Sequence, residues 1–113
     1  MPSGVHDSAF IVNAFRSRKC RISKDRFAAL WITEEIENWA NKYVEKVGRT
    51  EILVHALRHR FFLECLQRFF DNTPNGAFIN IGAGFTNYPY LITSQVDCCE
   101  IDTAVNINYK RRK

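Results

Sequence analysis

Ala77-Phe78-Ile79-Asn80-Ile81-Gly82-Ala83-Gly84-Phe85-Thr86-Asn87-Tyr88-Pro89-Tyr90 is the stretch whose reading decides the fold. A short apolar run that breaks into Gly-Ala-Gly predicts a buried strand and a sharp turn. Glycine reaches positive φ and lets the backbone approach a ligand with no Cβ in the way. A second run, Val96-Asp97-Cys98-Cys99-Glu100-Ile101-Asp102, follows and ends in acids. A neighbouring parallel strand presents carboxylates to a nucleoside ribose in this manner, so the two runs together predict a nucleotide-type crevice at the strand ends.

The chain before this stretch predicts helical scaffold. Met1 to Asp7 reads as a loose leader, and the apolar patch from Ser8 to Phe15 begins a helix. From Arg26 to Val47, the positions Ala28, Ile32, Ile36, Trp39, Tyr43 and Val47 recur at helical spacing, so the spacing predicts one amphipathic helix capped by Asp25 or Ser23, packed on the core by that stripe and stopped by Gly48. A second helix is expected from Thr50 as N-cap, with Glu51 in its first turn. Its apolar face, Ile52, Leu53, Ala56, Leu57, Phe61, Leu63, Leu66 and Phe70, is wide enough for burial on more than one side. Asp71-Asn72-Thr73-Pro74-Asn75-Gly76 ends that helix, and Thr103 to Tyr109 predicts a last one after the second strand. The resulting class is α/β, a helical region over residues 1–76 followed over 77–113 by the opening of a Rossmann-like sheet. Two strands cannot complete such a sheet, so the remainder is expected either in further sequence or in another chain.

Composition narrows the function classes. The 113 residues, 46% hydrophobic and 25% charged, suit one globular domain. The formal net charge of +4 is carried by Lys110-Arg111-Arg112-Lys113, so the remainder is balanced and a nucleic-acid partner is not favoured. The local excess of Arg16, Arg18, Lys19, Arg21, Lys24 and Arg26 around Asp25 predicts solvated helix ends and a loop. No run approaches the roughly 20 apolar residues of a membrane span, and the N-terminus has no apolar signal core. Cys20, Cys65, Cys98 and Cys99 form no CxxC pair. They read as small buried hydrophobes of a cytoplasmic protein rather than as a zinc cage or disulfide framework.

Three segments carry a family resemblance. Arg58-His59-Arg60-Phe61-Phe62-Leu63-Glu64, then Phe78 to Ile92, then Glu100-Ile101-Asp102-Thr103-Ala104-Val105-Asn106-Ile107-Asn108-Tyr109-Lys110 resemble, in order and spacing, the leucine carboxyl methyltransferase family and its RTRFFD, VxLGAGLDTRxYRL and EVDLPxVIxxK motifs. Ser8-Ala9 and Asp25-Arg26-Phe27-Ala28 resemble its weaker N-terminal signatures. The chain departs from the pattern at Thr86-Asn87-Tyr88, where the family has Asp-Thr-Arg, and at Thr103-Ala104, where it has Leu-Pro.

The resemblance implies a class I fold binding S-adenosylmethionine and transferring its methyl group to a carboxylate or hydroxyl, on a small molecule or a protein. Gly82, Ala83 and Gly84 would form the turn under the methionine part. Asp102, with Glu100 as competitor, would accept from the ribose hydroxyls, and Arg58 would pair with the cofactor carboxylate. It also implies that the adenine-binding strand and substrate lid follow Lys113, so residues 77–113 would be the first half of the cofactor domain and the chain alone inactive.

Plainer readings stand beside each of these. Gly-Ala-Gly is also a turn found in any α/β protein, and Arg58 is equally a surface arginine or a partner for Glu64 or Asp102. His55 and His59 lie four apart on a helix, but no interposed Glu and no third ligand accompanies them. They read as helix-surface histidines, with no metal implied. Phe61, Phe62, Phe69 and Phe70 read as core, or as a face left for the missing half. The alternative from another class is a non-catalytic protein-interaction module, or a degenerate methyltransferase remnant.

Overall fold

The structure, a computed structural model, describes residues 7–113. The expected leader falls on residues 1–6, outside the described residues, and Asp7 already begins helix α1, Asp7–Arg18. A single turn, α2, Cys20–Ser23, follows and ends at Lys24 in the left-handed region, φ 62°. A 3-10 turn spans Ala28–Trp31, and the long helices α3, Glu34–Val47, and α4, Thr50–Asp71, come next. Strand β1, Ala77–Ile81, then the short α5, Tyr88–Leu91, strand β2, Asp97–Ile101, and α6, Ala104–Lys110, complete the order. This is a largely helical α/β chain with a two-stranded parallel sheet, in which Phe78 lies beside Cys98 and Asn80 beside Glu100. Among the described residues no helix is long and apolar enough to cross a membrane.

The single helix expected over 26–47 is two elements. Ile32 is extended, φ −85° and ψ 122°, and Thr33 restarts the chain as N-cap of α3, its Oγ1 accepting from Ile36 N at 3.3 Å. Glu34, Glu35 and Glu37 then sit in the first turn, where the helix dipole favours acids. With Ile32 extended, the first amides of α3 have no preceding turn to bond, and the threonine oxygen satisfies one of them. Ala28, Ile36 and Ala40 of this region are buried, but Tyr43 and Val47 at the end of the stripe are exposed. Gly48, φ 94°, ends α3 as expected. Thr50 is not a cap: it is the first residue of α4, and Arg49 precedes it without a side-chain cap bond.

The core gathers Phe10, Ile11, Ala14 and Phe15 of α1, Trp31, Ile36 and Ala40, and Phe85 from the loop after β1. Trp31 stacks on Phe85 with ring centroids 5.4 Å apart, and Tyr109 of α6 meets both Phe10 and Phe85 at 5.6 Å. Side chains from either side of residue 76 therefore share one core. Helix α4 reaches the sheet through Phe70, which meets Phe78 at 6.3 Å. Its apolar face is covered on one side only: Ala56, His59 and Phe70 are buried, whereas Leu53, Leu57, Phe61, Phe62 and Phe69 are exposed. All four cysteines are exposed as well, against the expectation of buried hydrophobes, because β2 turns Cys98 and Cys99 to surfaces that no element covers fully.

The basic cluster around Asp25 departs furthest from expectation. Arg16 is 4% exposed and Asp25 1%, and they pair at 3.0 Å, Nε to Oδ2. Removing one partner of a buried pair strands the other charge without water. Replacing Arg16 by Met is expected to cost about 3–5 kcal/mol. The same change at Arg18, whose pair with Glu37 is partly exposed, is expected to cost about 0–1 kcal/mol. Urea denaturation of both variants checks this, and equal losses would contradict it.

Candidate functional site

The site is built on the turn after β1. Gly82 and Gly84 take φ 68° and 49°, and a Cβ added at either would meet no atom within 4 Å, so open space lies over the turn. Its backbone is stitched to β2: Gly82 N and Ala83 N donate to Ile101 O at 2.7 and 3.2 Å. Gly84 N donates to Asp102 Oδ2 at 2.6 Å. Asp102 Oδ1 accepts from Thr103 N at 2.6 Å and from Asn106 Nδ2 at 2.8 Å. Burial alone would raise the Asp102 carboxyl, but the bonds from Gly84, Thr103 and Asn106 outweigh it and hold the group below its ordinary range. The Thr103 side chain bonds to it as well, so the roughly four lone-pair sites of the carboxylate are all taken up within the turn.

The downstream end of the turn is held from the N-terminal helices. Arg16 Nη2 donates to Phe85 O at 2.9 Å and to Asn13 Oδ1 at 3.1 Å, while Asn13 Nδ2 donates to Ala28 O at 2.7 Å. Asn87 Nδ2 donates to Asp25 Oδ1 at 2.8 Å, across 62 positions of chain. His59, buried and not at the surface as expected, donates from Nδ1 to Ser23 O at 2.8 Å and stacks on Tyr88 at 4.7 Å. A carbonyl only accepts, so Nδ1 carries the proton and Nε2 is left as a buried acceptor without a partner, 3.6 Å from Asp25 Oδ2. Burial depresses the His59 basicity, the Ser23 bond opposes that, and the net shift is downward.

A cleft of about 420 Å³ opens between α1, α4 and the end of β1. Arg16, His55, Arg58, His59, Gly82 and Tyr88 are among its lining residues, and none of the lining residues is acidic. The Arg58 guanidinium is exposed and lies 5.8 Å from the Phe62 ring centroid. Neither acid named as its alternative partner takes it up: Glu64 pairs with Arg60 at 2.7 Å, and Asp102 is bound into the turn. Arg58 and Gly82 are thus brought into one cleft, and Gly84 and Asp102 are bonded to each other beside it. Ala83 is buried and faces the interior. Glu100 is not brought together with them: both its oxygens hold Lys110 Nζ, at 2.8 and 2.9 Å, and it lines a different cleft. Among the described residues no group of His, Cys, Asp and Glu is arranged to hold a metal.

Sequence reasoning missed Arg16, Asp25, Asn87 and His59. An isolated buried pair has no periodic signature, and the D-R-F-A segment was the one local signal near Asp25. Compared with known protein families, curated proteins and solved structures, the chain matches none of them.

The histidines carry a pH signature. His55 and His59 are both depressed, burial being the main cause in each. A depressed folded value stabilises the protein above the unfolded value of about 6.5, and that stability is lost as pH falls through the folded value. Unfolding free energy should therefore decline as pH falls below about 6.5. The slope should shrink in His59→Gln and vanish in the His55→Gln, His59→Gln double variant. A slope unchanged in the double variant would contradict the assignment.

Proposed function

We propose that this chain is the cofactor-binding part of an S-adenosylmethionine-dependent methyltransferase of the leucine carboxyl methyltransferase type, with β1 and β2 as the first strands of a Rossmann-like sheet. The observation that carries the reading is that Arg58 and Gly82 line one acid-free cleft at the carboxyl end of a parallel strand. That is the place where open α/β sheets bind ligands, and about 420 Å³ falls in the range of roughly 300–1,000 Å³ usual for small-molecule sites. The fit is supported by the open space over Gly82 and Gly84 and by the unpaired Nε2 of His59, a further lining residue.

S-adenosylmethionine, when bound, supplies an electrophilic methyl on a positively charged sulfur. In this reading Arg58 holds the cofactor's carboxylate, with Gly82 and Gly84 leaving room for the methionine part. Asp102 meets a ribose hydroxyl by exchanging one of its bonds within the turn, that of the Thr103 side chain, for it. Methyl transfer asks chiefly for alignment in a water-poor site, so the chain needs to orient more than to exchange protons. The acceptor is a carboxylate or hydroxyl on a small molecule or a protein, and the free thiols fit a reducing, cytoplasmic setting.

A second reading, a non-catalytic interaction module or a degenerate methyltransferase remnant, is favoured by one observation. Ile79, Ile81 and Ile101 form an exposed apolar sheet face, with Ile81 78% exposed, and parallel sheets are normally covered on both faces. A second copy of this chain or another polypeptide would cover it. Calorimetry separates the readings, since a module without cofactor function gives no selective heat for S-adenosylmethionine over methionine plus adenosine.

A bidentate guanidinium–carboxylate contact contributes about 1.5–3 kcal/mol. Arg58→Ala is therefore expected to weaken S-adenosylmethionine binding roughly ten- to a hundred-fold. Arg60→Ala is the control, because Arg60 is held by Glu64 and does not line the cleft. Equal affinity in wild type and Arg58→Ala, or a larger loss in Arg60→Ala, would refute the role of Arg58.

A further inference from the structure

A second and larger cleft, about 650 Å³, lies on the other side of the 86–90 segment, between the 3-10 turn, α5 and α6. Its walls include Phe27, Trp31, Tyr90 and Ile107, and Tyr90 is 65% exposed. Phe27 and Tyr90 meet edge to face at 6.2 Å, and Tyr90, the more exposed of the two, keeps ring surface open to a third ring. One buried donor on this wall residue set, Trp31 Nε1, has no acceptor.

The charges of the cleft are unbalanced. Glu100 is its acid, and Lys110 neutralises it: the Lys110 ammonium donates to both Glu100 oxygens and to Thr86 O, which uses its three hydrogens. Arg111 and Lys113, also lining the cleft, have no acidic partner among the described residues. Arg26, which does not line the cleft, holds its guanidinium 4.7 Å from the ring centroid of the lining residue Phe27.

We infer that this cleft is a second binding site, which takes a flat aromatic molecule bearing a phosphate or carboxylate group. The ring seats against Phe27 and Tyr90, and the anion reaches Arg111 and Lys113. A neutral ring would leave the two cations uncompensated, and a bare anion would leave the aromatic wall wet, so the site selects for both features in one molecule.

Calorimetry with 1-naphthyl phosphate, 1-naphthoate, 2-naphthol and inorganic phosphate tests this. At least one of the two aromatic anions is expected to bind one per chain, at least tenfold more tightly than 2-naphthol and than inorganic phosphate. Which one binds better tells a phosphate site from a carboxylate site. Tyr90→Ala and the Arg111→Glu, Lys113→Glu double variant should each weaken that binding at least tenfold, while Ile79→Ser, on the uncovered sheet face, should leave it unchanged. S-adenosylmethionine affinity should not change in the Tyr90 and Arg111/Lys113 variants, so failure here is distinct from failure of the Arg58 cleft. The inference is overturned if 2-naphthol binds as tightly as the anions, if neither anion binds, if the cleft variants bind normally, or if Arg58→Ala or Ile79→Ser abolishes probe binding instead.

Discussion

A charge pair sealed from water is the constraint on which the rest of this structure depends. Burying Arg16 and Asp25 is costly unless their remaining donors and acceptors are met by the protein. Asn13 and the Phe85 carbonyl take up Arg16, while Asn87 and the Phe27 amide take up Asp25. Two of those four partners lie in the loop after β1, so the pair cannot be satisfied unless the helices and the glycine turn come together. Ser23 closes the arrangement, its hydroxyl donating to Arg16 O and accepting from Asp25 N, and its carbonyl accepting from His59. One electrostatic requirement thereby fixes α1, α2, α4 and the turn relative to one another.

How legible this was depends on the range of the interaction. Local signals were legible as secondary structure: β1, its parallel partner β2, the break at Gly48 and the positive φ of Gly82 and Gly84 all follow from single-residue preferences or short periodicity. But β1, expected to be buried, has no buried residue and leaves Ile79 and Ile81 exposed because nothing covers that sheet face. Thr33 shows where a periodic stripe misleads, since residues 28–36 keep helical spacing while a side-chain cap divides the segment. Arg16 and His59 show the limit more sharply. Each is a polar residue on a helix, and partners 3 to 69 positions away in one case and 36 in the other make burial tolerable. Of the candidate site, Arg58 with Gly82 and Gly84 with Asp102 were brought together in pairs. Glu100 was drawn away by Lys110, a contact between β2 and α6 that no local pattern foretells.

The two clefts flank the same segment, and the Arg16–Asp25 joint underlies both. Arg16, His59 and Tyr88 line the cleft that holds Arg58, and Asn87 lines the aromatic and basic one. Loosening the joint should therefore disturb both clefts, whereas changes at Arg58 or at Tyr90 should act on one alone. The uncovered face of Ile79, Ile81 and Ile101 lies on the sheet side away from Phe78 and Asn80, since side chains alternate along a strand.

Native-state amide hydrogen exchange in Asn87→Ala tests the central claim, that the buried pair clamps the glycine turn. The substitution removes one bond to a buried carboxylate, worth about 1.5–3 kcal/mol. The amides of Gly84 and Thr86, which bond to Asp102 and to Ala83 O, should exchange roughly ten- to a hundred-fold faster than in the wild type. Those in the middle of α4 should keep their protection. Unchanged exchange at Gly84 and Thr86 in a folded Asn87→Ala protein would contradict the account.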